Sequence, residues 1–460
     1  MADALPRHER PLVRRRPGGL TFVELLVALT LSLVVMGAVA SLFGLFGRAV
    51  KQSQATMNLS ALMRSAAWQL RQDLAGVTCP LRPRLSPDMN AGYFELVEGP
   101  VRDTTHAIDA QAQPTGNLTA DTDDMLLFTT QSLVGAFVGR FAGATIESPY
   151  AEVAWFCRPA VSQPLEGTTL YDLHRRQLLV VNYLGRSDLV DNAIPLTTDR
   201  ATCDLSLRRA TIDGQGQALV PNSLGDLTKR EHRFMRGGFS YATDGGGVRS
   251  VPQQAFPFAF PVEATTRLAV PEAALAETRR AWQDVVLTNV IGFDVRVFDP
   301  GARIASPDAE VVRYPGEIGY VPPAEEAQGI GTGAYVDLGW GGGAPVGLRD
   351  DFPPAGQSAL QGGGVAVSDI PRRSVLPAAT YDTWSRHYEF NGVDDDGDGV
   401  VDEGVNGLDT NGDGWPEIGT NVETSPPYPV PLRGVEVRLR CYEPASRQVR
   451  QITVRHAFIQ

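Results

Sequence analysis

The sequence predicts an α+β fold, with one long N-terminal helix whose second half packs on a large antiparallel β-rich body. Three observations predict it. Residues 25–47 form an apolar run without a charge, the stretch after it keeps a helical repeat of apolar residues, and residues 432–459 alternate apolar with polar.

Residues 1–19 precede the helix, with Pro6, Pro11 and Pro17 discouraging helical structure and Arg14, Arg15 and Arg16 gathering positive charge. The helix is expected over residues 20–77. At 1.5 Å of rise per residue, the 23 residues of the 25–47 run make roughly 35 Å of helix, enough to cross a bilayer core. The one charge at its start is Glu24. A carboxylate there is costly in lipid unless a cation meets it, which makes Glu24 a functional candidate. Over residues 48–77 the helix turns amphipathic. Leu59, Leu62, Met63, Ala66, Leu70, Leu74 and Val77 recur at helical spacing, with Arg64, Arg71 and Asp73 off that stripe. Gly76, then Cys79-Pro80 and Pro83, end it.

The body, residues 78–460, reads as strands joined by loops. Met125-Leu126-Leu127-Phe128-Thr129-Thr130, Glu152-Val153-Ala154-Trp155-Phe156-Cys157 and the stretch from Thr169 through Arg175-Arg176 to Val181 favour β structure. Phe293, Val295 and Val297 alternating with Asp294 and Arg296 predict a half-buried strand. Residues 300–380, rich in Gly and Pro, predict long surface loops. A phosphate-binding reading of Gly339-Trp340-Gly341-Gly342-Gly343 and Gly362-Gly363-Gly364 fails, because no Lys-Ser/Thr follows either cluster. The chain closes in a hairpin over 432–459. Val435, Val437, Leu439 and Cys441 alternate with Glu436, Arg438 and Arg440, and Ile452, Val454 and Phe458 repeat the period after the turn at Pro444-Ala445-Ser446-Arg447.

Composition narrows the function. A net charge of −12 over 460 residues disfavours a nucleic-acid surface. Gly and Pro together make about 17 % of residues, above the usual share of about 12 %, which suits a loop-rich β body. Cys79, Cys157, Cys203 and Cys441 form no CxxC pair, and with six scattered histidines no zinc-ligand spacing exists. For an exported body disulfides are open, in any of three pairings.

Gly19-Leu20-Thr21-Phe22-Val23-Glu24 resembles the prepilin cleavage and N-methylation motif of type IV pilins and type II secretion pseudopilins. The resemblance implies a pilin-like fold. It implies a prepilin peptidase that cuts between Gly19 and Leu20 and methylates Leu20. It implies an assembly role for Glu24, fifth in the mature chain, which would meet the terminal amine of a neighbouring subunit. Partners would be the inner membrane, the peptidase, other pilins or pseudopilins through the N-terminal helix, and an exported substrate. The helix would be a single pass with a cytoplasmic N-terminus, as arginines before it suggest, and the head would be periplasmic or on the cell surface. The strand order, with its Leu170-Tyr171 and Arg175-Arg176, is similar to J-type minor pseudopilins and W-type minor pilins, although Asp172-Leu173-His174 departs from a compact version. An Arg-rich flank before an apolar run also fits a secretory signal peptide, with Ala38-Val39-Ala40 as its cleavage site, or a plain signal anchor. Against these stand the uncharged run beyond Ala40, the Gly18-Gly19 pair and the lone Glu24.

A second informative stretch is acidic. Two copies of Asp-x-(Asp/Asn)-x-Asp-Gly start at Asp394 and Asp409, and residues 394–417 hold nine acids and no base. Oxygen donors at alternate positions, with glycine permitting a sharp turn, are what Ca²⁺ requires. The first copy offers Asp394, Asp396, Asp398, the Val400 carbonyl and Asp402; the second offers Asp409, Asn411, Asp413, the Trp415 carbonyl and Glu417. The pattern, within loop 391–419, resembles calcium loops of EF-hands, dockerins and thrombospondin type 3 repeats. Position twelve is Val405 or Thr420, so the bidentate glutamate of an EF-hand is missing. Structural calcium is expected; a solvated acidic loop is the plainer alternative.

No Gly-x-Ser-x-Gly or His-Glu-x-x-His occurs, and no enzyme is expected. The function expected is a minor pilin or pseudopilin at a filament tip. Its rival is an anchored or secreted calcium-binding adhesin or enzyme without a filament role.

Overall fold

A computed structural model of the protein describes residues 21–81, 89–98, 118–141, 143–162, 165, 168–181, 194, 203–212, 216–228, 230–235, 239–242, 248–251, 284–308, 311–315, 320, 329–338, 379–383 and 431–458. The chain forms two compact units, residues 1–57 and 58–460, and the helix α1 (Phe22–Ala75) contributes to both.

In the first unit, residues 21–54 are all exposed, apolar ones included. Two hydroxyls on this part of the helix are satisfied locally. The Thr30 hydroxyl donates to the Val27 carbonyl (2.9 Å) and the Ser41 hydroxyl to the Gly37 carbonyl (2.8 Å). Such back-bonding hides a hydroxyl where no water is at hand.

In the second unit, the remaining turns of α1 bury Leu59, Met63, Ala66, Ala67, Leu70 and Leu74 in the main core. The predicted stripe is right with two corrections. Leu62 is 53 % exposed, because it sits one residue, about 100° of helix, away from Met63. Asp73, expected off the stripe, is 3 % exposed and faces the sheet. The helix stops at Ala75 rather than Val77, and Gly76 is the reason. Its carbonyl accepts the Gln131 amide (2.7 Å), and a Cβ there would collide with the Gln131 carbonyl and the Thr130 hydroxyl. Thr130 Oγ1 donates to the Asp73 carbonyl (2.8 Å), satisfying one acceptor of the last turn.

The strands follow in chain order: β1 (Phe94–Glu98), β2 (Met125–Gln131), β3 (Phe137–Phe141), β4 (Ala144–Ser148), β5 (Tyr150–Pro159), β6 (Tyr171–Val180), β7 (Leu207–Ile212) and β8 (Gly216–Pro221). Then come β9 (Phe239–Ala242), β10 (Val248–Val251), β11 (Val285–Asp308), β12 (Val311–Arg313), β13 (Gly329–Val336), β14 (Ala379–Asp382), β15 (Gly434–Glu443) and β16 (Gln448–Ala457). Among the described residues, ten of these make one sheet in the order β14-β1-β2-β5-β6-β11-β15-β16, with β12 and β13 also on β11. Every pairing between strands is antiparallel. Apart from β14, the path along the sheet follows the chain, and the hairpins β3–β4, β7–β8 and β9–β10 are excursions between neighbours.

One face of the sheet packs on α1 through Phe94, Phe128, Trp155, Phe293, Val437 and Leu439. The opposite face of β2, β5 and β6 is covered as well. Met125, Leu127, Phe156 and Val180 meet Leu224, Leu227 and Phe234 of the segment after β8. Burial on both faces accounts for the unbroken apolar run Met125-Leu126-Leu127-Phe128.

Two expectations fail in β11. Asp294 and Arg296, read as the wet side of a half-buried strand, are each 2 % exposed. Arg296 lies 3.0 Å from both Asp294 and Asp337, so the charge is compensated where it is buried. The second failure is the predicted loop over residues 300–380. β11 runs on to Asp308, β12 and β13 pair with it, and β14 joins β1. In β13, Gly333 (φ +96°) lies beneath Phe298, whose ring a Cβ would crowd at 3.1 Å, so this glycine serves a strand and not a loop. The glycine clusters at 339–343 and 362–364 lie outside the described residues. The insertion Asp172-Leu173-His174 is part of β6, paired with β5 throughout.

Candidate functional site

The first described residue, Thr21, caps α1. Its carbonyl accepts the Leu25 amide (3.1 Å), and its hydroxyl accepts the Glu24 amide (3.3 Å). Glu24 answers in kind: Oε2 accepts from the Thr21 amide and from the Thr21 hydroxyl, both at 2.9 Å. This is a reciprocal capping box, which satisfies helix donors that have no intrahelical partner. Sequence reasoning passed over it, although Thr21-Phe22-Val23-Glu24 has the T-x-x-E spacing that signals one. Both bonds from Thr21 land on Oε2, so the carboxylate is oriented by its own helix. A negative group at this end also complements the helix dipole.

Beyond the cap, α1 contains an 18-residue window of mean hydropathy 2.5, no part of it buried. By length and composition it suffices to cross a membrane. Residues 14–40 match the family model described as the prokaryotic N-terminal methylation motif. The chain carries a prepilin-type signal. In a type IV pilin-like protein this motif implies cleavage by a prepilin peptidase and assembly with other pilins, and the apolar helix fits a membrane-anchored subunit. Neither the curated proteins nor the solved structures give a match to the chain. Gly19 and Leu20 lie outside the described residues, and so do Asp394, Asp396, Asp398, Val400, Asp402, Asp409, Asn411, Asp413, Trp415 and Glu417.

The body after α1 contains charged residues whose pairing the sequence did not reveal. Asp73, on the last turn of α1, accepts two hydrogen bonds from Arg175 on β6 (Nε and Nη2, 2.7 Å each) and one from Trp155 Nε1 on β5 (2.9 Å). A bidentate pair with an added indole donor fixes the helix end against the sheet. On the other face, Glu152 accepts from Tyr93 Oη (2.8 Å), Ser206 Oγ (2.8 Å) and the Phe234 amide (2.9 Å). Beside it Arg233, fully buried, pairs with Glu95 (3.0 Å), donates to the Leu227 and Thr228 carbonyls and stacks on Tyr93 at 4.1 Å. These groups hold the segment after β8 onto the sheet.

Asp121, Asp123 and Asp124, noted in the sequence only as preceding a strand, are buried with carboxylate oxygens within 4.8 Å of one another. Asp124 Oδ2 accepts the Val295 amide (2.7 Å), taking the place of a strand carbonyl beside β11. Three clustered acids do not by themselves make a metal centre. Near them burial raises the Cys157 thiol well above its usual value, helped by the negative groups around it, and it pushes Cys441 up to about 12. All four cysteines are buried and none is in a disulfide, so none of the three possible pairings is formed. A groove of about 430 Å³ beside α1 is lined by Gln69, Arg175, Arg176 and Asp284 among others. Its arginines are already matched by Asp73 and Asp284, so it is close to neutral.

Proposed function

We propose that the chain is a minor pilin or pseudopilin, a structural subunit of a type II secretion pseudopilus or a type IV pilus, and not an enzyme. A prepilin peptidase cuts after Gly19 and methylates Leu20. The apolar helix then anchors the subunit in the inner membrane and later packs against other pilins. The N-terminus is cytoplasmic, in line with Arg14, Arg15 and Arg16 ahead of the helix, and the head is periplasmic or at the surface, at or near a filament tip. Glu24 accepts the terminal amine of a neighbour, and the Thr21 cap supports that role by holding the carboxylate at the helix start. Ca²⁺ is held by the two acidic copies beginning at Asp394 and Asp409, where nine acids without a base call for a multivalent cation.

The single observation that carries this reading is the methylation motif over residues 14–40. The test is the intact mass and N-terminal sequence of the native protein. A chain that begins at methylated Leu20 supports the subunit. One that begins at Ser41 is a secreted protein, and one that keeps Met1 is a plain membrane anchor; either sinks the filament role. The acidic repeat favours the second reading, a calcium-binding adhesin, if one of those two outcomes is found.

A further inference from the structure

The last strand of the sheet carries a charge opposite to that of the whole chain. Among the described residues β16 ends the strand order and has β15 on its inner side. Residues 448–451 are exposed, and so is Arg455. Residues 431–458 contain six arginines and two glutamates, a net +4, in a chain whose total is −12. One of those glutamates, Glu436, is buried and already held by Arg438 and Arg455. Arg450 donates to its neighbour Gln448 (3.2 Å), and among the described residues neither it nor Arg447 pairs with a carboxylate. Val449, 43 % exposed, adds apolar surface between them.

An edge strand presents backbone donors and acceptors that another strand can complete. We propose that β16 receives, as an eleventh strand, an extended acidic segment of a different protein. Side chains alternate along a strand, so Arg450 and Arg455, five residues apart, lie on opposite faces. The fitting segment therefore carries two carboxylates, also five residues apart, one on each face, with β-branched residues between them. Pairing with the same strand of a second copy would bring two positive edges together and offer neither a carboxylate, since residues 448–457 hold two arginines and no acid. The arginines thus repel a copy of the chain and attract an acidic strand. This inference depends on neither the N-terminal processing nor the calcium loops.

The probe is a blocked ten-residue peptide of β-branched residues with glutamates at its third and eighth positions, titrated into the full chain in detergent micelles. Binding is expected, with affinity falling as salt rises. A peptide with lysines in place of the glutamates is expected to bind at least about tenfold more weakly. Arg450→Glu should weaken the acidic peptide by about fivefold. Methylating alternate backbone amides of the peptide should abolish binding, because strand addition needs those donors. The proposal is overturned if the acidic and basic peptides bind alike, if Arg450→Glu changes nothing, if the methylated peptide binds as well, or if no peptide binds at millimolar concentration. Self-association of the chain that the acidic peptide disrupts would make a second copy the occupant, and would overturn it too.

Discussion

Asp73 is worth the most attention among single residues. It is buried, with the Arg175 guanidinium and the Trp155 indole on its carboxylate. Replacing it by Ala would strand the Arg175 guanidinium, whose side chain is 8 % exposed. Loss of one partner of a buried pair costs about 3–5 kcal/mol, and Asp73→Ala should lower the stability of the head by that order. Denaturant unfolding followed by tryptophan fluorescence checks it; an unchanged midpoint would mean the pair contributes nothing. His174 gives a pH-dependent counterpart. Burial, and then the charge of Arg158, hold its pKa down at about 4 against an ordinary 6.5, and its ring stacks on Phe156 at 5.3 Å. The fold keeps this imidazole neutral, so between pH 6.5 and about 4 the unfolded chain binds a proton that the folded one refuses. The stability in question is complete above pH 6.5 and is lost as pH falls through that window, to an extent of about 3 kcal/mol. His174→Gln should flatten the melting temperature across the same window. A variant with the wild-type slope would assign the pH dependence to other groups.

At the scale of elements, most of what the sequence could reveal was periodic. The apolar run of α1 shows in composition alone, and its Leu59-Met63-Ala66-Leu70-Leu74 stripe follows from one buried face; β15 and β16 pair as the expected hairpin, although Glu436, expected on its wet face, is buried. Elements with both faces covered were harder to read. Asp294 and Arg296 look like a wet face because buried ion pairs and solvated charges have the same letters, and only the position of Asp337 tells them apart. The strand β13 escaped notice because Gly329, Gly331 and Gly333 resemble loop residues until Phe298 is laid over one of them. The candidate site was half legible. The motif around Glu24 is contiguous and could be read directly, whereas the partners of Asp73 come from β5 and β6, far along the chain. The acidic copies carry a prediction of their own. Asp396→Ala combined with Asp413→Ala should remove the gain in melting temperature that millimolar calcium gives the wild type, and leave melting in chelator unchanged. Equal gains in both proteins would remove the metal from the account.

For the molecule as a whole, the four cysteines offer a compact test. Each is buried and unbridged, and burial holds the Cys157 and Cys441 thiols protonated at neutral pH. Thiolates are the reactive form, so alkylation of the native protein should modify none of the four, and denaturation should release all of them at once. Quantitative labelling before and after denaturant counts them; fewer than four in the denatured, non-reduced protein would point to a bridge.

The succession of strands along the sheet bears on how such a chain can change over time. Each hairpin excursion leaves one strand and returns to its immediate neighbour, so its two ends are already close, and lengthening it adds little closure entropy. The frame therefore tolerates growth at its margins, and a large head can be elaborated from a smaller one without rewiring. β14 is the exception: it comes from near the far end of the chain to sit against β1, and trimming the segments before it would leave that border of the sheet open.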